Sequence, residues 1–223
     1  MAAMAASTQN SVTTRHRLLA SGHRAVIKHG IRSLTVRQVA AGANANLGSF
    51  VYHFGTRDAF VEELIERWYA PLLARVNKVA AEDGRPMGRL RSAILQLVDF
   101  SADNDVFMGR ILMAAADNDK PACGFMKSLA GRHPRIMLQL VAAAQADGAL
   151  VDDDPMQVLC FLLASVALPR LVAAAWQGPS LFGKQLSSAL SHIARDRGRM
   201  AQRLDWAMRG VSRGALMDKD PYA

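Results

Sequence analysis

Apolar residues recur along this chain at the three-to-four spacing of a helix, and hardly anywhere with the alternation of a strand. The sharpest pattern lies between Thr35 and Phe54. Val36, Val39, Ala40 and Ala43 fall at 0, +3, +4 and +7, which is one stripe of a short helix. Thr35 stands just before the stripe, where its hydroxyl oxygen can accept from the free N–H groups of a first turn. Asn44 follows, and asparagine tolerates the left-handed backbone of a sharp turn. Asn46 then opens a second short helix. This helix is expected to turn Gly48, Ser49, Tyr52 and His53 outward and to keep Phe50, Val51 and Phe54 for packing.

The flanks continue the pattern. A helix is predicted from about Thr14 to His29, with Leu18, Gly22, Ala25 and Val26 inward and Gly30 as its stop. Thr56 caps a long helix whose inner face carries Phe60, Leu64, Ile65, Trp68 and Leu72, and Asp83-Gly84-Arg85-Pro86 ends it. Further helices follow from Met87 to Asp103 and from Asp105 to Ala116. Another is predicted from Pro121 to Asp147, reset at Pro134. Asp152-Asp153-Asp154-Pro155 is an acidic cap with proline at the first helical position, opening a helix to about Trp176 bent near Pro169. Gln177-Gly178-Pro179 is a turn. A last helical stretch runs from Leu181 to Gly214 with a break at Gly198.

Composition narrows the class. At 223 residues and 51% apolar, the chain can bury a sizeable core in one or two domains. Its Ala, Leu, Met and Arg favour an all-α protein. Residues 1–60 hold seven Lys/Arg and one acid, Asp58, for +6 of the total +8. A basic first quarter on a nearly neutral remainder fits a nucleic-acid-binding head; a merely solubilising surface is the plainer reading. Two cysteines, Cys123 and Cys160, form neither a disulfide framework nor a zinc set and are expected as reduced core residues, consistent with the cytoplasm. The first residues have no basic segment followed by an apolar run, so residues 1–12 are expected as a mobile tail rather than a signal peptide. Val158 to Trp176 is long enough to span a bilayer, but Pro169 and Arg170 interrupt it, so a buried helix is expected and no membrane. Phosphate loops, metal-ligand clusters and nucleophile elbows are missing from the sequence, which argues against an enzyme and against a metal or cofactor.

The residues between Thr14 and Leu64 resemble the TetR family of bacterial transcription regulators. Thr14-Arg15, Leu18-Leu19, Ser21-Gly22 and Gly30 match the family's first helix. Thr35-Val36-Arg37-Gln38-Val39-Ala40 through Gly48-Ser49-Phe50 and Tyr52-His53-Phe54 match its helix-turn-helix, and Arg57-Asp58 opens the next helix. Asn44 stands where the turn glycine is usual, Ala45 where valine is, and Val51 where a tyrosine is frequent.

The resemblance implies a three-helix DNA-binding head at 13–56 and a helical-bundle body for ligand sensing and dimerisation at 57–218. Such proteins bind near-palindromic double-stranded operators as two-fold dimers, and an apolar effector entering the body shifts the fourth helix to release the DNA. Asn46 and Ser49 are expected at base edges or phosphates, Leu47 at a thymine methyl, and Tyr52 at backbone or base. Gly48 permits close approach. Arg15, Thr35, Arg37, His53 and Arg57 are expected to complete the contact set, mainly at phosphates. His53 reads equally as a packed histidine and Ser49 as simply small. Dimerisation is expected through the helix from Pro155 to Trp176 and the last helices, where Ala164, Ala167, Ala173 and Ala174 allow close approach. Phe100, Phe107, Met108, Met113, Met137, Phe161 and Trp176 are candidate pocket residues, with ordinary core as their alternative. The rival functions are a helix-turn-helix regulator without a small-molecule effector, and a helical enzyme.

Overall fold

The computed structural model describes residues 2–175 and 183–216; Trp176 and the turn expected at Gln177-Gly178-Pro179 lie outside them. The described residues form helices joined by short turns, with an isolated bridge between Leu150 and Ser212. The all-α class read from the periodicity is therefore observed.

The chain divides into two compact units, one reaching to Pro71 and including Asn104–Ala130, the other holding Leu72–Asp103 and the remainder from Gly131. The first unit holds α1 (Ala2–His29), α2 (Val36–Gly42), α3 (Leu47–Phe54), the start of α4 (Arg57–Ala81), α6 (Asp105–Ala116) and α7 (Lys120–Leu129). The second holds the rest of α4, then α5 (Pro86–Asp103), α8 (His133–Ala146), α9 (Pro155–Ala175), α10 (Gly183–Arg195), α11 (Arg197–Gly210) and α12 (Arg213–Leu216).

Two boundaries differ from expectation. The long helix predicted from Pro121 divides into α7 and α8, with Pro134 in the first turn of the second helix. The final stretch breaks at Asp196 rather than Gly198, because the Asp196 carboxylate accepts from Arg199 N–H at 2.7 Å and starts a new helix there.

In the second unit, Leu90, Ala93 and Ile94 of α5, Met137, Leu140 and Val141 of α8, Val158, Leu162 and Val166 of α9, and Met200 and Leu204 of α11 are buried. Two ionic clasps tie α5 to α11. Arg91 donates to both carboxylate oxygens of Asp205 at 2.6 and 3.0 Å. Arg197 reaches Asp99 at 3.2 Å and Asp103 at 3.0 Å. No described helix is long and apolar enough to cross a membrane.

Cys123 is half-buried, its thiol 3.4 Å from the Ala115 carbonyl. Cys160 is exposed, against the expectation of a core position. The reason is that α9 is apolar on nearly every face, so composition does not show which face is inward.

Candidate nucleic-acid interface

The site begins with the close approach of α1 to its neighbours. A side chain at Gly22 would put its Cβ 2.4 Å from Phe60, so only glycine lets α4 pack there. A Cβ at Gly42 would meet the Ser21 hydroxyl at 2.5 Å, and that buried hydroxyl donates to the Val39 carbonyl at 2.9 Å. These contacts fix α2 across α1.

The caps predicted from sequence are present. Thr35 Oγ1 accepts from Gln38 N–H at 3.2 Å, and the Gln38 side chain accepts from Thr35 N–H at 3.2 Å, a reciprocal capping box. Asn44 adopts φ 49°, the left-handed turn, and Ala45 N–H returns to Ala40 carbonyl at 3.0 Å. Asn46 Oδ1 accepts from Ser49 N–H at 2.7 Å and starts α3. Thr56 Oγ1 accepts from Ala59 N–H at 3.1 Å and starts α4.

Phe50 and Phe54 anchor α3. Their ring centroids stand 5.0 and 4.8 Å from that of Phe60, all three rings being buried. With positions 50 and 54 turned inward, the opposite side projects Leu47, Gly48, Val51 and Tyr52. Tyr52 is 80% exposed and Val51 57%. Val51 thus corrects the expectation that it packs inward. An eight-residue helix needs only one i, i+4 pair for its core, and Val51 instead joins Leu47 on the outer ridge. Ser49 and His53 are half-buried beside this ridge, with His53 edge-on to Tyr52 at 5.1 Å between centroids.

The arginines separate into two kinds. Arg37 on α2 is exposed. Arg15 pairs with Glu63 at 2.6 Å and lies 5.5 Å over the Phe54 ring, bracing α1, α3 and α4 together. Arg57 is held by four groups. It donates to the carbonyls of Leu34 at 3.2 Å and Ile31 at 2.8 Å, and to the carboxylates of Asp58 at 2.9 Å and Asp119 at 3.2 Å. Its guanidinium fastens the α1–α2 loop to the cap of α7. Asp119 also accepts from Ala122 N–H at 3.3 Å, so one carboxylate serves both.

The described candidate pocket residues are divided between the two units. Phe107 is core of the first unit, stacked on His23 at 4.7 Å and against Trp68 at 5.1 Å. Partial burial there and the neighbouring Arg24 lower the His23 pKa. Met108 is half-buried, and Met113 is 64% exposed on a shallow 130 Å³ cleft beside Arg110 and Asp117. Phe100 and Met137 are buried in the second unit, whereas Phe161 is 51% exposed on α9. A cleft of about 440 Å³ in the second unit is lined by Met87, Gly88, Arg91, Asp205, Met208, Arg209 and Ser212, none of them among the candidates. No group of His, Cys, Asp and Glu among the described residues is arranged to hold a metal ion.

Two short helices in capped succession, the second pinned by two phenylalanines and bare on its outer side, define a helix-turn-helix protein. Residues 18–64 match the family described as bacterial regulatory proteins, tetR family. The match covers the helix-turn-helix head and the start of α4. The chain is 31% identical over 68 residues to the HTH-type transcriptional repressor KstR2 of Mycobacterium tuberculosis, covering 30% of this chain and 34% of that one. The matched region thus spans about a third of that curated relative's length. A second relative, the HTH-type transcriptional repressor NemR of Escherichia coli, is 21% identical over 187 residues, 81% of this chain and 92% of its own. Among solved structures, the SmeT–triclosan complex superposes with a TM-score of 0.65 at 18% identity, covering 94% of this chain and 96% of that one. At that identity the likeness concerns the fold.

Proposed function

We propose that the protein is a transcriptional repressor that binds a near-palindromic operator as a homodimer and is released by a small apolar effector. The observation that carries this reading is the outer ridge of α3. Leu47, Val51 and Tyr52 project from a helix whose opposite side is fixed by Phe50 and Phe54, and exposed apolar groups on such a short helix have no role in the core. In a major groove, Leu47 and Val51 meet thymine methyls, Tyr52 meets a base edge or the backbone, and Gly48 lets the helix approach closely. Arg37 and the capped starts of α2 and α3, at Thr35 and Asn46, face phosphates. Ser49 and His53 flank them. Arg15 and Arg57 act by positioning.

The repressor sense is supported by the names of KstR2 and NemR, and ligand response by the triclosan bound to SmeT. The functional division is a DNA-binding head at 13–56 and a sensing and dimerising body at 57–218, in a cytoplasmic protein without catalytic activity. Dimerisation is supported by α9, where Met156 (51%), Phe161 (51%) and Leu168 (57%) stand exposed together with Cys160, Ala164 and Ala167. Footprinting of sheared genomic DNA with the purified protein tests the reading. Protected near-palindromic sites with half-sites one helical turn or more apart support it. Indifference to all duplex fragments at low ionic strength rejects it.

A further inference from the structure

Arg170 interrupts the most apolar helix of the chain. Among the described positions of α9, Val158, Leu159, Leu162, Val166 and Ala173 are buried, and Arg170 continues the inward stripe at the fourth residue after Val166. Its guanidinium is poorly provided for. Nη2 has a single long hydrogen bond, to the Ser101 carbonyl at 3.5 Å near the end of α5. Nη1 is buried and has no hydrogen-bond partner among the described residues. The acids of α5 on either side of Ser101 do not serve it, because Arg197 takes both Asp99 and Asp103.

Arg170 is half-buried, but a buried donor left without an acceptor is costly in a helical core, and a methionine or leucine would fill the same stripe without that penalty. The donor makes sense when an acceptor arrives from outside. A guanidinium presents paired N–H groups in the geometry of a carboxylate, and such charge-assisted bonds are short and strong. The surrounding stripe is aliphatic, so the remainder of the arriving molecule is apolar. We propose that the effector is an apolar carboxylate and that Arg170 binds its carboxylate through Nη1. The inference rests on the reading of the body as an effector sensor.

The test is calorimetric titration of the full-length protein with decanoate and naphthoate and with the matched alcohols. Carboxylates are expected to bind about tenfold tighter than alcohols of the same skeleton. Arg170→Met is expected to erase that preference while keeping alcohol binding, and to leave the ligand-free dimer at least as heat-stable as the parent. Arg170→Gln, which keeps polar atoms without the charge, is expected to lose the preference too and decides the matter should the methionine variant not fold. Equal binding of acids and alcohols overturns the inference while leaving the sensor reading intact. So does a preference that survives in both variants, or a dimer that dissociates when only Arg170 is changed. Failure of both series to bind overturns the sensor reading and this inference with it.

Discussion

Arg37 and Arg57 belong to the same basic segment, yet their surroundings assign them opposite work. Arg37 is exposed on α2, so Arg37→Gln is expected to leave stability unchanged and to reduce the slope of log affinity against log salt by about one, the signature of one lost phosphate contact. Arg57 serves two carbonyls and two carboxylates within the protein. Arg57→Gln is expected to destabilise by about 1–3 kcal/mol in urea denaturation, with the salt slope of the folded fraction unaltered. An unchanged denaturation midpoint together with a shallower salt slope returns Arg57 to the DNA contacts. Tyr52 offers the complementary case. At 80% exposure it contributes little to folding, so Tyr52→Ala is expected to keep the melting temperature and to weaken specific binding by about 1–3 kcal/mol in gel-shift titration. Gly22→Ala inverts that pattern. Its Cβ would stand 2.4 Å from Phe60, and overpacking of this kind costs about 1–3 kcal/mol. Reduced operator binding by that variant then follows the unfolded fraction, measured on the same sample by circular dichroism.

At the scale of elements, legibility tracked how local the determining interactions are. The caps at Thr35, Asn46 and Thr56 bond groups three residues away, and the sequence shows both partners at once. The turn at Asn44 is equally local. The hold of Asp119 on Arg57 is not legible, because the two are 62 residues apart and no short pattern links them. The packing of Phe107 on His23 and Trp68 is equally non-local, and nothing near it in sequence announces either ring. Phe161 and Cys160 lie on a helix apolar all round, where periodicity carries no direction. Element starts also hold a titration. His133 opens α8, and its partial burial lowers the imidazole pKa from 6.5 to about 4. The unfolded chain therefore binds a proton between these values and the folded chain does not. Stability is full above pH 6.5 and falls as the pH drops toward 4, by on the order of 1–3 kcal/mol. Urea melts across that range are expected to show a smaller acid loss in His133→Gln than in the parent; equal losses assign the acid sensitivity elsewhere.

For the whole molecule, the decisive matter is whether two copies act together. One head presents a short ridge of α3, a small contact for a specific site. Joining two heads makes the second contact intramolecular, which raises affinity about 100-fold or more when the half-sites match their separation. The face available for joining is that of α9, where Phe161, Ala164 and Leu168 follow one another at helical spacing and are exposed. Small Ala164 between two larger apolar groups lets a second helix approach closely, and a charge there would be desolvated without a partner. Ala164→Glu is therefore expected to give a folded monomer by light scattering and to lose operator affinity by about 100-fold, while a single half-site fragment is bound as weakly as before. Cys160 supplies an independent reading, since it is exposed on this helix and bonded to no other cysteine. If α9 meets its counterpart around a two-fold axis, mild oxidation or a short bis-maleimide joins the two Cys160 side chains, and Cys160→Ser abolishes the product. A parent that remains dimeric after Ala164→Glu, with no cross-link through Cys160, moves the interface to another face and leaves the apolar side of α9 to be covered by something else.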